Sequence, residues 1–198
     1  MGRFRNLAFV LILAGCTSTP TDIRYYLLTS SLANVTKQDG LAGTVKIAIG
    51  PVIVADYLDQ PLLVTVNDGG SLNLSENDRW ASPLNHGIQS LLISRLADKF
   101  SGARVAAFPA SPGFMHNYRV AVEILRLDGR PGELVTLHAR FRVIDSASAM
   151  DLHGQEVQLE TPFVGAQISD LVAAENVAIL AVADAIASYF ESRAPGPE

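Results

Sequence analysis

The sequence predicts an α+β fold: a single domain with a largely antiparallel mixed sheet and two amphipathic helices packed on one face of it. Two observations carry this prediction. Apolar and polar residues alternate on both sides of the turn-forming stretch 128–132, which is typical of a β-hairpin with one buried face. Two other stretches, 84–96 and 173–192, repeat apolar residues at helical spacing. Helices with a single apolar stripe favour a layer of helices on a sheet.

In the first half of the chain, strands are expected at 25–29 and 46–55, which are rich in β-branched and aromatic residues. The Gly50-Pro51 pair inside the second strand predicts a bulge or an edge position. A strand at 62–66 leads through the turn-forming residues 67–70 into another at 72–74. Ser82 then predicts a helix N-cap, with Pro83 as the first helical residue and the helix closing near Gly102.

In the second half, a short strand at 104–108 precedes the predicted hairpin. One hairpin strand alternates through Tyr118, Val120, Val122 and Ile124, and the other through Val135, Leu137, Ala139, Phe141 and Val143. A further strand at 155–164 and a closing helix at 173–192 complete the domain, which we place at 25–192. The tail 193–198 contains two prolines and is expected to be disordered.

Residues 1–15 form an export signal, with Arg3 and Arg5 before a short apolar run and the small residues Ala14 and Gly15. The sequence Leu13-Ala14-Gly15-Cys16 matches the bacterial lipobox, in which the cysteine thiol is alkylated by diacylglycerol and the chain is cut before it. Cys16 is the only cysteine of the chain. The sequence therefore predicts lipidation at Cys16; the alternative is an ordinary signal peptide with a chance cysteine.

Acyl chains on Cys16 would hold the protein firmly on a membrane. Thr17 stands where an Asp would resemble the inner-membrane retention signal of enteric bacteria, so we expect the outer membrane, on its periplasmic side. Residues 16–24 would form a short tether that keeps the domain near the membrane. The net charge of −5 and the lack of a basic cluster argue against nucleic acid as a partner.

No motif in the sequence indicates a catalytic, metal-binding or nucleotide-binding site. The four histidines, His86, His116, His138 and His153, lack metal-ligand spacing, and neither a nucleophile elbow nor a phosphate-binding or dinucleotide-binding glycine pattern occurs. We therefore predict a protein that is not an enzyme, without metal or cofactor. A calcium site among the carboxylates between Asp56 and Asp78 is the less favoured interpretation of that acidic segment.

Two stretches stand out as candidate partner-binding sequences. The first carries Tyr57 and Leu58 in a turn after a strand, and the second carries Arg79 and Trp80 just before a helix. Interface hot spots favour Trp, Tyr and Arg, but the same residues could fill the junction between sheet and helix. From their sequence neighbours we expect Trp80 in the core and Tyr57 exposed.

These stretches resemble the ABC-type transport auxiliary lipoprotein family, the PqiC-like proteins of Gram-negative bacteria. The resemblance rests on blocks in a fixed order behind the lipobox: Tyr25-Tyr26-Leu27-Leu28, Asp56-Tyr57-Leu58-Asp59-Gln60-Pro61, Arg79-Trp80-Ala81-Ser82-Pro83-Leu84, and Phe108-Pro109 before Tyr118-Arg119-Val120. The chain departs from the family pattern at three positions. Gln60 stands where members have Arg, Ser82 where they commonly have Glu, and Phe141 where they have Trp.

The resemblance implies a non-catalytic subunit that works beside MCE-domain proteins and an ABC transporter in moving phospholipids or other hydrophobic molecules between membranes. We expect this chain to dock the periplasmic channel to the outer membrane, and we leave open whether the domain self-associates. Two alternatives are an accessory or assembly lipoprotein of another outer-membrane machine and, from a different class, a lipid-anchored hydrolase.

Overall fold

A computed structural model describes residues 22–30, 45–67, 69–100, 103–165 and 167–193. The predicted signal peptide, Cys16 and most of the tether and tail lie outside these residues. The described elements follow one another along the chain as β1 (Arg24–Tyr26), β2 (Lys46–Val54), a 3₁₀ turn (Asp56–Leu58), β3 (Leu62–Val66), β4 (Leu72–Trp80), α1 (Leu84–Lys99), β5 (Arg104–Ala107), β6 (Tyr118–Gly129), β7 (Leu134–Asp145), β8 (Asp151–Pro162) and α2 (Ile168–Glu191).

The eight strands form one mixed sheet with β6 at its centre. Antiparallel pairs join β6 to β7, β7 to β8 and β3 to β4. Parallel pairs join β6 to β2 and, further along the same edge, to β3; β5 lies beside β2 and β1 beside β4. The predicted α+β class, single domain and mixed sheet are confirmed, and the parallel pairs connect its antiparallel parts.

Both helices pack on the same face of the sheet, as predicted. α1 lies against β2 and β5, α2 lies against β6, β7 and β8, and the two helices contact each other. Strand β7 shows why this face is buried: its alternate residues Val135, Leu137, Ala139, Phe141 and Val143 are at most 1% exposed. The opposite face of this part of the sheet carries cross-strand ion pairs, such as Arg140 with Glu123 at 2.7 Å.

Several element bounds differ from the prediction. β4 continues past the expected residue 74 to Trp80, and β8 begins at Asp151 instead of 155, in both cases through polar residues. α2 begins five residues earlier than expected, at Ile168. There the Gln167 N–H donates to the Asp170 carboxylate at 3.2 Å and stabilises the helix start. The bulge expected at Gly50-Pro51 is confirmed by a register shift between Ile49 and Val52. β5 pairs with β2 only from Lys46 to Ile49, so the part of β2 that follows the bulge pairs with β6 alone.

α2 is, among the described residues, the one helix long and apolar enough to cross a membrane by length and composition. Its apolar side chains are nevertheless directed at the sheet: Ile179, Val182, Ala183 and Ile186 are fully buried. This burial is typical of the core helix of a folded domain.

Candidate functional site

The structure brings the two candidate stretches together at the start of the β3–β4 hairpin. Tyr57 and Leu58 belong to the 3₁₀ turn that follows β2, and Arg79 and Trp80 end β4. Leu62 pairs with Arg79 across the hairpin, and the Trp80 N–H donates to the Pro61 carbonyl at 2.7 Å. Antiparallel pairing of β3 with β4 therefore places these sequence blocks side by side, although about twenty residues separate them.

Trp80 and Leu58 are core residues. Trp80 is 8% exposed and lies opposite Tyr26 in the pairing of β1 with β4, and Leu58 is 4% exposed. The expectation that Trp80 belongs to the core is confirmed. Leu58 packs in the same core cluster, so its side chain is not presented to a partner.

The expectation that Tyr57 is exposed is wrong. Its side chain is half-buried, and its hydroxyl donates to the Asp128 carboxylate at 2.9 Å while accepting the Leu127 N–H at 3.1 Å. Burial, reinforced by the charge of Asp128, raises the pKa of the Tyr57 phenol. The uncharged Tyr57 hydroxyl thus links the 3₁₀ turn to β6 by hydrogen bonds. Its acceptor, Asp128, lies 71 residues away in the sequence.

Asp128 is itself buried and needs compensation for its charge. Arg126 supplies this compensation, because its Nε and a terminal nitrogen approach the two carboxylate oxygens of Asp128 at 2.8 to 3.1 Å. Burial of a carboxylate is tolerated when it is paired and hydrogen-bonded in this way. The Tyr57, Arg126 and Asp128 cluster is therefore a stabilising network of the fold.

Arg79 is half-buried and lies on the sheet face that points away from the helices, opposite Tyr25 of β1. Its Nε is buried and makes no hydrogen bond to the described residues. A buried donor without a partner costs stability. Among the four candidates, Arg79 is the one with an unsatisfied polar group.

A groove of about 310 Å³ opens beside the buried Trp80. It is formed where the turn before β3 faces the segment between β4 and α1, and its lining is Asp59, Gln60, Pro61, Trp80, Ala81, Ser82, Pro83 and Leu84. Two positions at which the chain departs from the family pattern, Gln60 and Ser82, both line it. The two candidate blocks contribute to this groove, but Leu58 and Trp80 are buried and Tyr57 and Arg79 are half-buried. The exposed lining residues are Asp59, Pro61, Ala81 and Pro83.

The walls of the groove are fixed by backbone and side-chain hydrogen bonds. Gln60 Nε2 donates to the Tyr57 carbonyl at 2.8 Å, and the Ala81 N–H donates to the Tyr26 carbonyl at 2.8 Å. The helix start differs from the prediction: Pro83 is the N-cap residue of α1, and Ser82 makes no capping hydrogen bond. The Ser82 side chain is consequently available to the groove instead of to the helix.

Glu175 is a further buried polar residue, in addition to Asp78 and Asp128, that sequence reasoning missed. This residue, in the N-terminal half of α2, is 3% exposed, and its Oε2 is buried without a hydrogen-bond partner among the described residues. Burial, with a contribution from the negative charge of Asp128, raises the pKa of this carboxyl well above its ordinary value. The helical pattern around Glu175 could have revealed its inward position, since Leu171 and Ile179 lie four residues away on either side.

The described residues contain no group of three or more His, Cys, Asp or Glu side chains that could hold a metal ion. The histidines lie apart: His138 pairs with Glu156 at 3.4 Å, His153 stacks on Tyr189 with ring centroids 4.7 Å apart, and His116 contacts Phe108. Each of these three rings has a packing or pairing role at the surface of the domain.

Known proteins share this architecture. A crystal structure of an uncharacterized protein superimposes with a TM-score of 0.69 at 18% identity, covering 85% of this chain and 99% of the other. Protein XCC0632 from Xanthomonas campestris gives a TM-score of 0.67 at 15% identity, with the same coverage of both chains. At these identities the likeness shows the fold alone. No curated protein matches the chain in sequence.

The family comparison covers most of the domain. Residues 26–187 match the family described as the ABC-type transport auxiliary lipoprotein component. The match includes the groove, all strands from β2 to β8, α1, and α2 as far as residue 187. The resemblance inferred from the sequence blocks is confirmed, and the chain belongs to the ABC-type transport auxiliary lipoprotein family.

Proposed function

We propose that this chain is the outer-membrane-anchored, periplasmic subunit of an intermembrane lipid transport system built from an ABC transporter and an MCE-domain channel. In this proposal Cys16 carries the lipid anchor, and the folded domain docks the channel to its target membrane. The domain performs no catalysis. The observation that carries the proposal is the membership of the auxiliary lipoprotein family, over residues 26–187, in a chain with a lipobox pattern at residues 13–16.

We propose the groove beside Trp80 as the docking surface for the MCE-domain protein. It is formed by the sequence blocks 59–61 and 80–84, and its exposed residues can be contacted without opening the core. A preformed groove with a buried aromatic floor is the kind of surface in which interface hot spots occur. Tyr57 and Leu58 support this surface from inside, and Arg79 lies next to it on the strand.

Ala81→Arg tests this docking surface. Ala81 is exposed in the groove, and its backbone hydrogen bond to Tyr26 does not depend on the side chain, so the arginine fills the groove while the fold is kept. We expect at least a tenfold loss of affinity for the MCE-domain protein, the scale of one hot spot. Ala173→Arg, on an exposed position of α2, is the matched control and should bind like the parent.

The measurement is co-purification and titration of the lipidated protein with the MCE-domain protein of the same organism, with thermal melting of each variant. An Ala81→Arg protein that melts and binds like the parent would remove the groove from the proposal. A parent protein that binds no MCE-domain protein would contradict the transport function itself.

A further inference from the structure

Three exposed aliphatic side chains lie at one end of the sheet, and the exposed Met115, Met150 and Leu152 lie toward the other end. Leu72 and Leu74, at the start of β4, are 47% and 43% exposed, and Val164, just after β8, is 81% exposed. Leu72 and Leu74 pair with Val66 and Val64 of β3, so this face of the hairpin is apolar. Such side chains can enter an apolar phase such as the interior of a lipid bilayer when the membrane is within reach, so the position of the anchor decides which end of the sheet meets it.

Strand pairing places these residues at a common end. Thr65, next to the last residue of β3, pairs with Gly129 at the end of β6. Pro162, the last residue of β8, pairs with Leu134, and the following N–H, of Phe163, donates to the Glu133 carbonyl at 3.0 Å. The turns after β3 and β6 and the connection after β8 therefore lie together; we call this the hairpin end, defined by Leu72, Leu74 and Val164.

The N-terminal part of the chain arrives from the hairpin end. β1 runs parallel to β4, with Arg24 opposite Asp78 and Tyr26 opposite Trp80, and β4 runs from Leu72 at the hairpin end to Trp80 beside the groove. Asp22 and Ile23 therefore precede β1 on the side of Leu72. This direction is fixed by the ion pair between Arg24 and Asp78, at 2.7 Å.

Asp78 is 2% exposed, so solvent screens its end of the ion pair with Arg24 only weakly. Burial alone would raise the pKa of its carboxyl, but hydrogen bonds from Ser75 and Arg24 outweigh burial and lower the pKa. The carboxylate therefore stays charged and paired under physiological conditions. As a result, the start of β1 is fastened to β4 on the path that leads back to the hairpin end.

The length of the tether then limits where the membrane can be. This step rests on the proposed function, in which Cys16 carries the lipid. From Cys16 to Asp22, the first described residue, there are six residue steps, which span roughly 20–22 Å when fully extended. Because Asp22 precedes β1 on the side of the hairpin end, a Cys16 anchor within this reach keeps that end, and not the opposite one, near the bilayer.

We propose that the hairpin end rests on the phospholipid surface of the membrane that holds the anchor, with Leu72, Leu74 and Val164 inserted among the lipids. The groove lies at the other end of β3 and β4, at Pro61 and Trp80, and so faces away from the bilayer, toward the periplasm. The charged pair at the hairpin end, Arg130 with Glu133 at 3.6 Å, is internally balanced. Contact with lipid is therefore apolar and insensitive to salt.

The test uses an environment-sensitive fluorophore attached to single cysteines in the lipidated protein, reconstituted in vesicles of phosphatidylethanolamine and phosphatidylglycerol. Leu72→Cys and Leu74→Cys report on the hairpin end. Met150→Cys is the matched control: Met150 is 65% exposed, and the pairing of Asp145 with Tyr118 places its turn at the opposite end of the sheet. Doxyl-labelled lipids quench a probe that reaches the acyl chains.

We expect a blue shift and several-fold stronger quenching at positions 72 and 74 than at position 150, unchanged at high salt. Equal or stronger quenching at 150, or an unquenched probe at both 72 and 74 in lipidated protein, overturns the orientation while leaving the proposed function intact. A blue shift that requires added MCE-domain protein identifies a protein contact and also overturns it. Mass spectrometry of the same samples shows whether Cys16 carries the lipid. A Cys16 without lipid contradicts the proposed anchoring as well as the orientation.

Discussion

Glu175 makes the stability of the domain depend on pH in a direction opposite to that of most paired carboxylates. Its carboxyl is buried in α2, Oε2 has no partner among the described residues, and burial raises its pKa well above 4.5. The folded protein therefore holds a proton that the unfolded chain releases. The contribution of protonated Glu175 to the stability of the folded state is fully present below about pH 4.5, the ordinary pKa of the group, and it falls as the pH rises toward the pKa in the folded protein.

The magnitude follows from linkage. Between the unfolded and folded pKa values, one such carboxyl lowers the free energy of unfolding by about 1.4 kcal/mol per pH unit. For a domain of this size, 1 kcal/mol corresponds to a change in Tm of about 2–4 °C, so the slope is roughly 3–6 °C per pH unit. Glu175→Gln cannot ionise, and it should remove this slope.

The assay is thermal melting of the parent, Glu175→Gln and the control Glu76→Gln from about pH 5 to pH 8. Glu76 is exposed on β4, so its replacement should leave the slope of the parent unchanged. We expect Glu175→Gln to have the higher Tm at the alkaline end of the range. If Glu175→Gln melts below the parent at alkaline pH, or if its Tm falls with pH as steeply as that of the parent, burial of Glu175 does not cause the pH dependence of stability.

The remaining predictions concern the anchor and the two aromatic candidates. Cys16→Ser should abolish incorporation of labelled palmitate, and labelling of the mutant would contradict the lipoprotein assignment of that residue. Trp80→Ala removes a buried aromatic and should cost about 3–5 kcal/mol, which lowers the Tm by roughly 6–20 °C. Tyr57→Phe leaves the Leu127 N–H without its acceptor and should cost about 1–3 kcal/mol, measured by urea unfolding; a neutral result would show that the Tyr57 hydroxyl does not stabilise the fold.

Local patterns predicted the elements that depend on local physics. The alternation from Val135 to Val143 and the helical spacing from Leu84 to Leu96 correspond to β7 and α1, because a buried face imposes its period on the sequence. The polar parts of β4 and β8 were not predicted as strand, because a strand with little burial lacks the alternation of apolar and polar residues. β8 is exposed along most of its length, and only Thr161 is buried.

The candidate site was predictable only as sequence blocks. The burial of Tyr57 depends on Asp128, and the position of β1 depends on Asp78, both of which are distant in sequence and follow from strand pairing. The same holds for the groove, which exists because β3 returns along β4 and brings Pro61 to Trp80. Such pairings are set by the whole sheet and leave no short-range signal at the residues themselves.

Site-specific photo-crosslinking in intact cell envelopes tests whether the groove beside Trp80 docks an MCE-domain channel. A photoreactive residue is placed at Pro61, exposed in the groove, and as a control at Ala173, exposed on α2. If it does, the MCE-domain protein is crosslinked from position 61 and not from position 173. Adducts from position 61 that contain only another outer-membrane protein, or crosslinks to the MCE-domain protein from position 173 alone, would contradict it.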